Sequence, residues 1–210
     1  MPVLFFDLDN TLYSQTLGVV ARIDRRINEY LERRVGIPAG DVDGLRRRFW
    51  AEHGTTLRGL TLAHAVDPDD YLAYVHDIEI EDLVRPAPKL RTLLERIPGR
   101  KAVFSNASRA HAYRVLGRLQ LRHAFEAVIG LEDLGYVPKP HPEAFRAALG
   151  RVGADAEDST LIDDLHPNLA AAKRLGLRTV WVCGEEGPAD AAIDHVVPDI
   201  FGIEPIFCAG

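Results

Sequence analysis

The sequence predicts an α/β protein with a doubly wound, mostly parallel sheet and an all-helical unit inserted after the first strand. The first observation is a wholly apolar run, Val3 to Phe6, of the kind that fits a strand buried on both faces. The second is the stretch 86–210, where short apolar runs alternate with helical stretches. Such alternation with short connections implies right-handed βαβ units, with helices on both faces of the sheet.

Residues 15–85 differ from the rest of the chain, because their apolar positions recur every three or four residues. Ile23 and Ile27, for example, lie on one face of an amphipathic helix, with charged residues between them. No strand pattern interrupts this part of the sequence. We therefore expect a helical cap that is inserted into an α/β core formed by residues 1–14 and 86–210.

Strands and helices can be placed in the second part of the chain from its apolar runs and the breaks between them. The predicted strands are 101–104, 125–129, 159–162 and 178–182, with a possible short one at 195–197. The predicted helices are 90–97, 110–119, 141–152 and 167–175. Strand and helix then alternate, as a mostly parallel sheet requires.

Composition narrows the class of protein. Lys and Arg number 25 against 31 for Asp and Glu, which gives a net charge of -6 and argues against a nucleic-acid polymer as partner. The Arg46-Arg47-Arg48 run is expected to lie on a solvated helix face. Two cysteines, Cys183 and Cys208, have neither the number nor the spacing of a disulfide framework or a zinc site. With no leader pattern or membrane-spanning run, we expect a soluble, cytoplasmic protein without a membrane partner.

Two carboxylates follow the first strand directly. Side chains two residues apart on an extended chain point the same way, so Asp7 and Asp9 can reach one site. Like charges that close repel each other, and the pair needs a cation or a shared proton. The alternative is an Asp-rich turn that only terminates the strand.

Other predicted strands also end in polar residues, which favours a site over a turn. Ser105-Asn106 and Asp163-Asp164 follow two of these strands, and Lys139 lies in the loop after another. Carboxyl ends of parallel strands meet at one edge of the sheet, near the switch in strand order. Several carboxylates there require a hard divalent cation, and all-oxygen ligation suits Mg²⁺. Lys139 and Ser105 match a phosphate group beside it.

Four segments of the chain resemble, in order, the motifs of the haloacid dehalogenase-like hydrolase superfamily. They are Asp7-Leu-Asp-Asn-Thr-Leu, Phe104-Ser-Asn-Ala, Pro138-Lys-Pro and Ile162-Asp-Asp. The resemblance implies a Rossmann-like core with a mobile cap between the first and second motifs. Further segments resemble the pyrimidine 5'-nucleotidase branch. They include Leu12-Tyr13, His53 to Leu60, His76-Asp77, His111-Ala112 and Asn168.

The resemblance implies a role for each motif residue. Asp7 corresponds to the nucleophile that forms an aspartyl phosphate, and Asp9 to the acid that protonates the leaving oxygen and later activates water. Because a dehalogenase lacks a carboxylate at the second position, Asp9 favours phosphatase chemistry. Ser105, Asn106 and Lys139 are expected to bind the phosphoryl group. Asp163 and Asp164 are expected to hold Mg²⁺ with Asp7 and the backbone carbonyl of Asp9.

The chain departs from the family pattern at two positions. Many members have a second acidic residue four positions beyond the metal aspartate, where this chain has Asn168, for which we expect an indirect role. Many also have serine directly after that aspartate, where this chain has Leu165. Neither departure removes a group with a catalytic role.

The segment from His53 to Leu60 has two interpretations. Thr55 after Gly54 is ordinary chemistry for the start of a helix, and Arg58 is then an exposed side chain. The family resemblance instead favours a cap loop that closes over the site, with His53 and Arg58 binding the substrate. The role of His76 is left open. The remaining histidines are expected at the surface or at helix caps: His64, His111, His123, His141, His166 and His195.

These observations predict a Mg²⁺-dependent phosphomonoesterase that acts on a small-molecule phosphate ester. The branch resemblance points to nucleoside 5'-monophosphates, pyrimidine ones among them. One alternative is a phosphatase of a sugar phosphate or phosphoglycolate. A second, from a different class, is a catalytically silent protein that binds Mg²⁺ or phosphate in a regulatory role, since fold and motif alone do not prove turnover. The sequence does not indicate an oligomeric state.

Overall fold

Six parallel strands form the centre of the molecule. The computed structural model describes residues 2–184 and 190–208. The order across the sheet is β3-β2-β1-β4-β5-β6, and each neighbouring pair is parallel. The strands are β1 (Val3–Phe6), β2 (Arg100–Phe104), β3 (Ala127–Ile129), β4 (Ser159–Asp163), β5 (Arg178–Val182) and β6 (His195–Val197). The predicted doubly wound parallel sheet is confirmed, with a strand order that reverses beside β1.

Strand β1 lies between β2 and β4 and sets the position of the residues that follow it. Phe6 is aligned with Val103 on one side and with Ile162 on the other. The backbone N–H of Asp7 still donates to the carbonyl of Ile162, at 2.9 Å. The chain after β1 therefore leaves the sheet at the switch point, where crevices form in sheets of this kind.

The segment between β1 and β2 is helical, as predicted. Its helices are α1 (Val19–Tyr30), α2 (Ala39–His53), α3 (Thr56–His64) and α4 (Pro68–Val75). The ring of Tyr30 packs edge-on against Tyr71 and Tyr74, at 5.0 and 5.2 Å between centroids. Its hydroxyl donates to Asp70 at 2.8 Å. These contacts tie α1 to α4 within the inserted segment.

The remaining helices connect and cover the strands. They are α5 (Pro88–Arg96), α6 (Arg109–Leu119), α7 (Pro142–Val152), α8 (His166–Arg174) and a short α9 (Glu204–Phe207). Strand β3 is two residues shorter than predicted, because Phe125 turns inward and packs on Phe6 with ring centroids 5.6 Å apart. Among the helices of the described residues, none is long and apolar enough to cross a membrane.

A continuous apolar core explains why β1 lacks polar alternation. Phe5 and Phe6 are almost fully buried, on opposite faces of the sheet. Phe5 contacts Phe104 at 5.9 Å between ring centroids, and Phe104 contacts Phe145 of α7 at 5.4 Å. Burial of each ring contributes about 1.5–3 kcal/mol. This packing fixes the end of β1 and the side chains that follow it.

The helical segment touches the sheet unit at Gly54. A Cβ atom there would lie 3.0 Å from Cδ of Pro140 and 3.1 Å from the carbonyl oxygen of Lys139. Gly54 also has φ of +82°, which L side chains rarely adopt. Glycine is therefore needed both for the turn after α2 and for the close approach to the loop that carries Lys139.

Candidate active site

The polar residues that follow β1, β2 and β4 line one cavity, together with the loop after β3. The cavity has a volume of about 530 Å³, within the range of small-molecule sites. Its polar lining includes Asp7, Asp9, Ser105, Lys139 and Asp164. The structure therefore brings together side chains that are far apart in the sequence, at the edge of the sheet where the strand order predicts a site.

Lys139 is the central charged group of this cluster. Its Nζ lies 2.9 Å from Oδ1 of Asp7, 2.7 Å from Oδ2 of Asp163 and 2.8 Å from the carbonyl oxygen of Phe104. Burial disfavours its charged form, but the carboxylates of Asp163 and Asp7 raise the pKa of Lys139 above its usual value. The ammonium group is therefore charged and fixed in direction.

The loop that carries Lys139 is held by Asn106. The backbone N–H of Lys139 donates to Oδ1 of Asn106 at 2.8 Å, and Nδ2 of Asn106 donates to the carbonyl oxygen of Lys139 at 3.0 Å. We predicted substrate contact for Asn106, and it does line the cavity. Its amide is nevertheless engaged with the backbone of Lys139, so in this structure it positions the lysine. The Ser105 hydroxyl accepts from the Ala107 N–H at 3.0 Å and retains its own proton for a ligand.

Asp163 and Asp164 face different surroundings although they are neighbours. Asp163 is fully buried and accepts from Lys139, from the N–H of Leu165 at 2.8 Å and from Nδ2 of Asn168 at 3.0 and 3.1 Å. Both of its oxygens are thus occupied by protein donors. Asp164 lines the cavity, whereas Asp163 does not. Of the two carboxylates that were expected to bind the metal, Asp163 therefore orients Lys139 and Asp164 faces the cavity.

The donor set at the cavity fits a divalent cation. Burial, followed by the nearby charge of Asp163, raises the pKa of Asp164 to about 7. Burial raises the pKa of Asp7 well above its usual value, and Asp163 and Asp164 add to that effect although Lys139 opposes it. The single ammonium group of Lys139 thus does not neutralise the three carboxylates of Asp7, Asp163 and Asp164. No group of three or more acidic, His or Cys side chains in residues 2–184 and 190–208 could hold a metal by itself. Mg²⁺ accepts such a sparse site, because it keeps waters and binds substrate oxygens.

Asp9 is held on one oxygen by two side chains. The Tyr13 hydroxyl donates to Oδ1 of Asp9 at 2.5 Å, and Nε2 of His111 lies 3.1 Å from the same atom. Burial alone would raise the pKa of Asp9, but the interactions with His111 and the hydrogen bond from Tyr13 hold this pKa below its usual value. Neither partner was predicted from the sequence, although Tyr13 lies only four residues beyond Asp9.

The prediction that His111 is a surface or capping residue is wrong. Its side chain is buried in α6, and its ring stacks on His76 with centroids 4.6 Å apart and an angle of 23° between planes. The Ser108 hydroxyl bonds Nδ1 of His76 at 3.0 Å and accepts from the His111 N–H at 3.2 Å. The sequence signal was the position of His111 on the apolar face of α6, beside Ala112 and Val115. The other five histidines of that set are exposed or half-buried, as expected.

Burial of His76 predicts that stability falls in mild acid. Burial, followed by the neighbouring His111, lowers the pKa of His76 to about 3. An unfolded chain takes up this proton near pH 6.5, so the folded state loses stability as pH falls from about 6.5 towards 3. Between pH 7 and 5 the His76 contribution amounts to about 2 kcal/mol. Urea unfolding at the two pH values should show this loss, and His76→Gln should remove most of it.

His123, which is exposed, supplies the matched control for this measurement. His123→Gln should leave the difference between pH 7 and 5 as in the unsubstituted protein. If the His76→Gln protein lost as much stability between pH 7 and 5 as the unsubstituted protein, another group would cause the pH dependence.

The helical segment covers the cavity with residues other than the two that we predicted. Residues 54–57 line the cavity, whereas His53 and Arg58 do not. The His53 carbonyl oxygen bonds Nε2 of His141 at 2.9 Å, and the Arg58 N–H donates to Oγ1 of Thr55 at 3.2 Å. Thr55 thus caps α3, as the simpler interpretation expected, and the loop before α3 reaches the cavity through its backbone and threonines.

The solvated-face prediction for the arginine run holds for Arg47 and Arg48 but not for Arg46. Arg46 is half-buried, pairs with Asp24 and donates from Nη1 to Oδ1 of Asn28 at 2.6 Å. It also lines the cavity. The reason is that α2 packs against α1, so the first arginine of the run faces inward. Trp50 and Tyr71 complete this wall of the cavity and were not predicted as site residues.

A parallel α/β sheet with carboxylates and a buried lysine at its switch point defines an enzyme class that acts on small molecules. The chain matches the family profile of haloacid dehalogenase-like hydrolases over residues 1–176. It belongs to this family.

Curated relatives include several phosphatases. The chain is 30% identical over 198 residues to a glyceraldehyde 3-phosphate phosphatase of Pyrococcus abyssi, covering 85% of this chain and 80% of that protein. It is 28% identical over 217 residues to the probable phosphatase IndB of Dickeya dadantii, covering 95% and 90%. It is 24% identical over 190 residues to phosphate metabolism protein 8 of Saccharomyces cerevisiae, with 83% of this chain matched to 59% of the yeast protein's length. These relatives support a phosphatase of this family.

Solved structures of the family share the fold. An L-2-haloacid dehalogenase of Xanthobacter autotrophicus has a TM-score of 0.64 and 17% identity, covering 100% of this chain and 99% of that one. A HAD phosphatase of Thermococcus onnurineus has a TM-score of 0.61 and 19% identity, covering 98% and 97%. At these identities the likeness shows the fold alone, in agreement with the predicted parallel sheet and inserted helices.

Proposed function

We propose that this protein is a Mg²⁺-dependent phosphomonoesterase that acts through an aspartyl phosphate. The observation that carries the proposal is the arrangement of two carboxylates at the cavity floor. Lys139 directs Asp7 through a 2.9 Å bond, and Asp9 beside it is fixed on one oxygen by Tyr13 and His111. A nucleophile and a proton carrier at one site are what a two-step phosphoryl transfer requires.

In the proposed reaction a carboxylate oxygen of Asp7 attacks phosphorus and the bond to the ester oxygen breaks. Asp9 gives its proton to that oxygen, so an alcohol leaves. In the second step Asp9 takes a proton from water, the water oxygen attacks phosphorus, and the carboxylate of Asp7 is released. The Ser105 hydroxyl and the Lys139 ammonium would stabilise charge on the phosphoryl oxygens.

Mg²⁺ would be held by Asp7, Asp164 and the backbone carbonyl of Asp9. When bound, it would neutralise charge on the phosphoryl group and on the two carboxylates. The raised pKa values of Asp7 and Asp164 support this assignment, because they reflect negative charge that burial leaves uncompensated. Asp163 would act indirectly, through Lys139.

We propose that residues 15–85 form a cap that contacts the part of the substrate beyond its phosphate. We also propose that the substrates are nucleoside 5'-monophosphates, pyrimidine ones among them. The cavity wall contributed by this segment is largely apolar and includes the aromatic Trp50 and Tyr71. Flat rings of this kind stack on a base. Arg46 adds a hydrogen-bond donor at the same wall, suited to carbonyl oxygens of a base.

The second candidate substrate is a short sugar phosphate or phosphoglycolate. It is favoured by the names of the relatives, which include glyceraldehyde 3-phosphate phosphatase and phosphoglycolate phosphatase. Against it stands a cavity of about 530 Å³, in which a three-carbon ester would leave the aromatic wall unused.

A substrate panel tests the proposal. We expect phosphate release from UMP and CMP with kcat/KM at least tenfold above that for glyceraldehyde 3-phosphate and phosphoglycolate, because only a base contacts the cap wall. Removal of Mg²⁺ with EDTA should abolish release, and added Mg²⁺ should restore it.

A higher kcat/KM for a short ester would select the second candidate. Release that persists in EDTA would contradict the Mg²⁺ site. No release from any ester at saturating Mg²⁺ would favour the regulatory alternative, a protein that binds phosphate without turnover.

A further inference from the structure

Asp9 contacts a buried histidine, His111, that takes no step in the proposed reaction. Nε2 of His111 lies 3.1 Å from Oδ1 of Asp9, and the side chain has 0% exposure. The contact joins two residues separated by 102 positions in the chain. It links α6 to the segment that follows β1.

The surroundings of His111 define which of its nitrogens carries a proton. Nδ1 is buried and has no hydrogen-bond partner. A proton on that atom would be an unpaired buried donor, which costs about 1–3 kcal/mol. Nε2 faces a carboxylate, which accepts hydrogen bonds when ionised. The arrangement therefore places a proton on Nε2, which donates to Asp9.

Neighbouring side chains fix the orientation of the His111 ring. The ring of His76 stacks on it at 4.6 Å, and Nδ1 of His76 is bonded to the Ser108 hydroxyl at 3.0 Å. Ser108 also accepts from the backbone N–H of His111, which anchors the first turn of α6. His111 has little freedom to turn its Nε2–H away from Asp9.

Both partners of Asp9 bond the same atom. Tyr13 and His111 converge on Oδ1, whereas Oδ2 has no side-chain partner in residues 2–184 and 190–208. The side chain of Asp9 is 19% exposed and lines the cavity. Oδ2 is therefore the oxygen available to carry a proton to and from a ligand.

We propose that His111 is a positioning residue for Asp9, and that with Tyr13 it holds Oδ1 so that Oδ2 delivers the proton to the leaving oxygen. This inference rests on the proposed phosphatase function. The inference predicts that the contribution of His111 to kcat/KM differs between substrates. It is large for esters whose leaving oxygen needs a proton and small for esters whose leaving group departs as an anion.

The test compares kcat/KM for two classes of ester in the presence of Mg²⁺. An alkyl phosphate such as UMP releases a strongly basic alkoxide, whereas p-nitrophenyl phosphate releases a stable phenolate. For both esters, kcat/KM reports the steps up to transfer of the phosphoryl group to Asp7, and it does not depend on the later attack by water. His111→Phe keeps a ring against His76 but lacks the donor. We expect it to lower kcat/KM about 100-fold for the alkyl ester and less than about threefold for the aryl ester.

Two further variants keep the test decisive if His111→Phe does not fold. His111→Gln retains an N–H donor at similar reach and should recover at least tenfold of the loss on the alkyl ester. Tyr13→Phe removes the other donor to Oδ1 and should show the same selectivity between the two esters.

Equal losses on both esters, or no loss on either, would overturn the positioning role while leaving the phosphatase function intact. Absence of turnover by the unsubstituted protein on both esters would overturn the proposed function, and the positioning role with it.

Discussion

Replacing Asp7 with asparagine is expected to lower kcat for phosphate release by about four orders of magnitude or more. The amide matches the carboxylate in size but has no nucleophilic oxygen, so no aspartyl phosphate can form. Phosphate release from p-nitrophenyl phosphate with Mg²⁺ is the measurement, because a good leaving group removes any dependence on proton delivery by Asp9.

The Asp7→Asn protein is expected to fold. Its amide oxygen can still accept from Nζ of Lys139, the bond that the carboxylate makes at 2.9 Å. The substitution also removes one of three carboxylates that a single ammonium group neutralises incompletely, so the free energy of unfolding should not fall. A thermal melt checks this directly.

Asp158 supplies the matched control, because it is exposed on the loop before β4. Asp158→Asn should retain full activity. If Asp7→Asn retained activity within tenfold of the unsubstituted protein, the nucleophile would be another group, and the two-step reaction proposed above would be wrong.

The sheet was predictable because its signals are local. A four-residue apolar run such as Val3–Phe6 fits a buried strand when turn residues follow it, and βαβ units allow few arrangements of successive strands. The same rule places Asp7, Ser105 and Asp164 at one edge of the sheet. Topology, rather than any property of single residues, made the cavity floor predictable.

The partners within the site were less predictable because they depend on packing between distant segments. His111 approaches Asp9 from α6 across 102 positions of the chain, and no pattern in the sequence specifies that approach. Adjacent residues Asp163 and Asp164 differ only in the direction that the end of β4 gives them. Only the structure therefore shows that Asp164, and not Asp163, lines the cavity.

The residues of the helical segment show the same limit. His53 and Arg58 have the chemistry to bind a phosphate ester, yet the tight turn at Gly54 brings residues 54–57 to the cavity instead. Conversely, Arg46 belongs to a basic run that is typical of a solvated face, and it turns inward only because α1 lies beside it. Side-chain chemistry alone did not predict which residues of the helical segment face the cavity.

Replacing Lys139 with methionine is expected to destabilise the fold as well as to abolish activity. Lys139 is 1% exposed and bonds both Asp7 and Asp163, so its removal leaves buried carboxylates without a counter-charge. Breaking a buried pair in this way costs about 3–5 kcal/mol. Urea unfolding near pH 7.5 without Mg²⁺ measures this loss. The half-exposed pair of Lys173 with Asp194 provides the control, for which Lys173→Met should cost no more than about 1 kcal/mol.

The pH dependence of the Lys139→Met protein should distinguish lost charge compensation from lost packing. Burial already raises the pKa of Asp7, and without the ammonium group this pKa rises further. A folded-state pKa above the unfolded value near 3.9 adds a destabilisation that is present at high pH and disappears as pH falls through the folded value. The difference in free energy of unfolding between the Lys139→Met and unsubstituted proteins should therefore shrink from pH 7.5 to pH 5. A difference that stays constant with pH would show that methionine only disturbs packing, and that the ammonium group does not set the charge balance at Asp7.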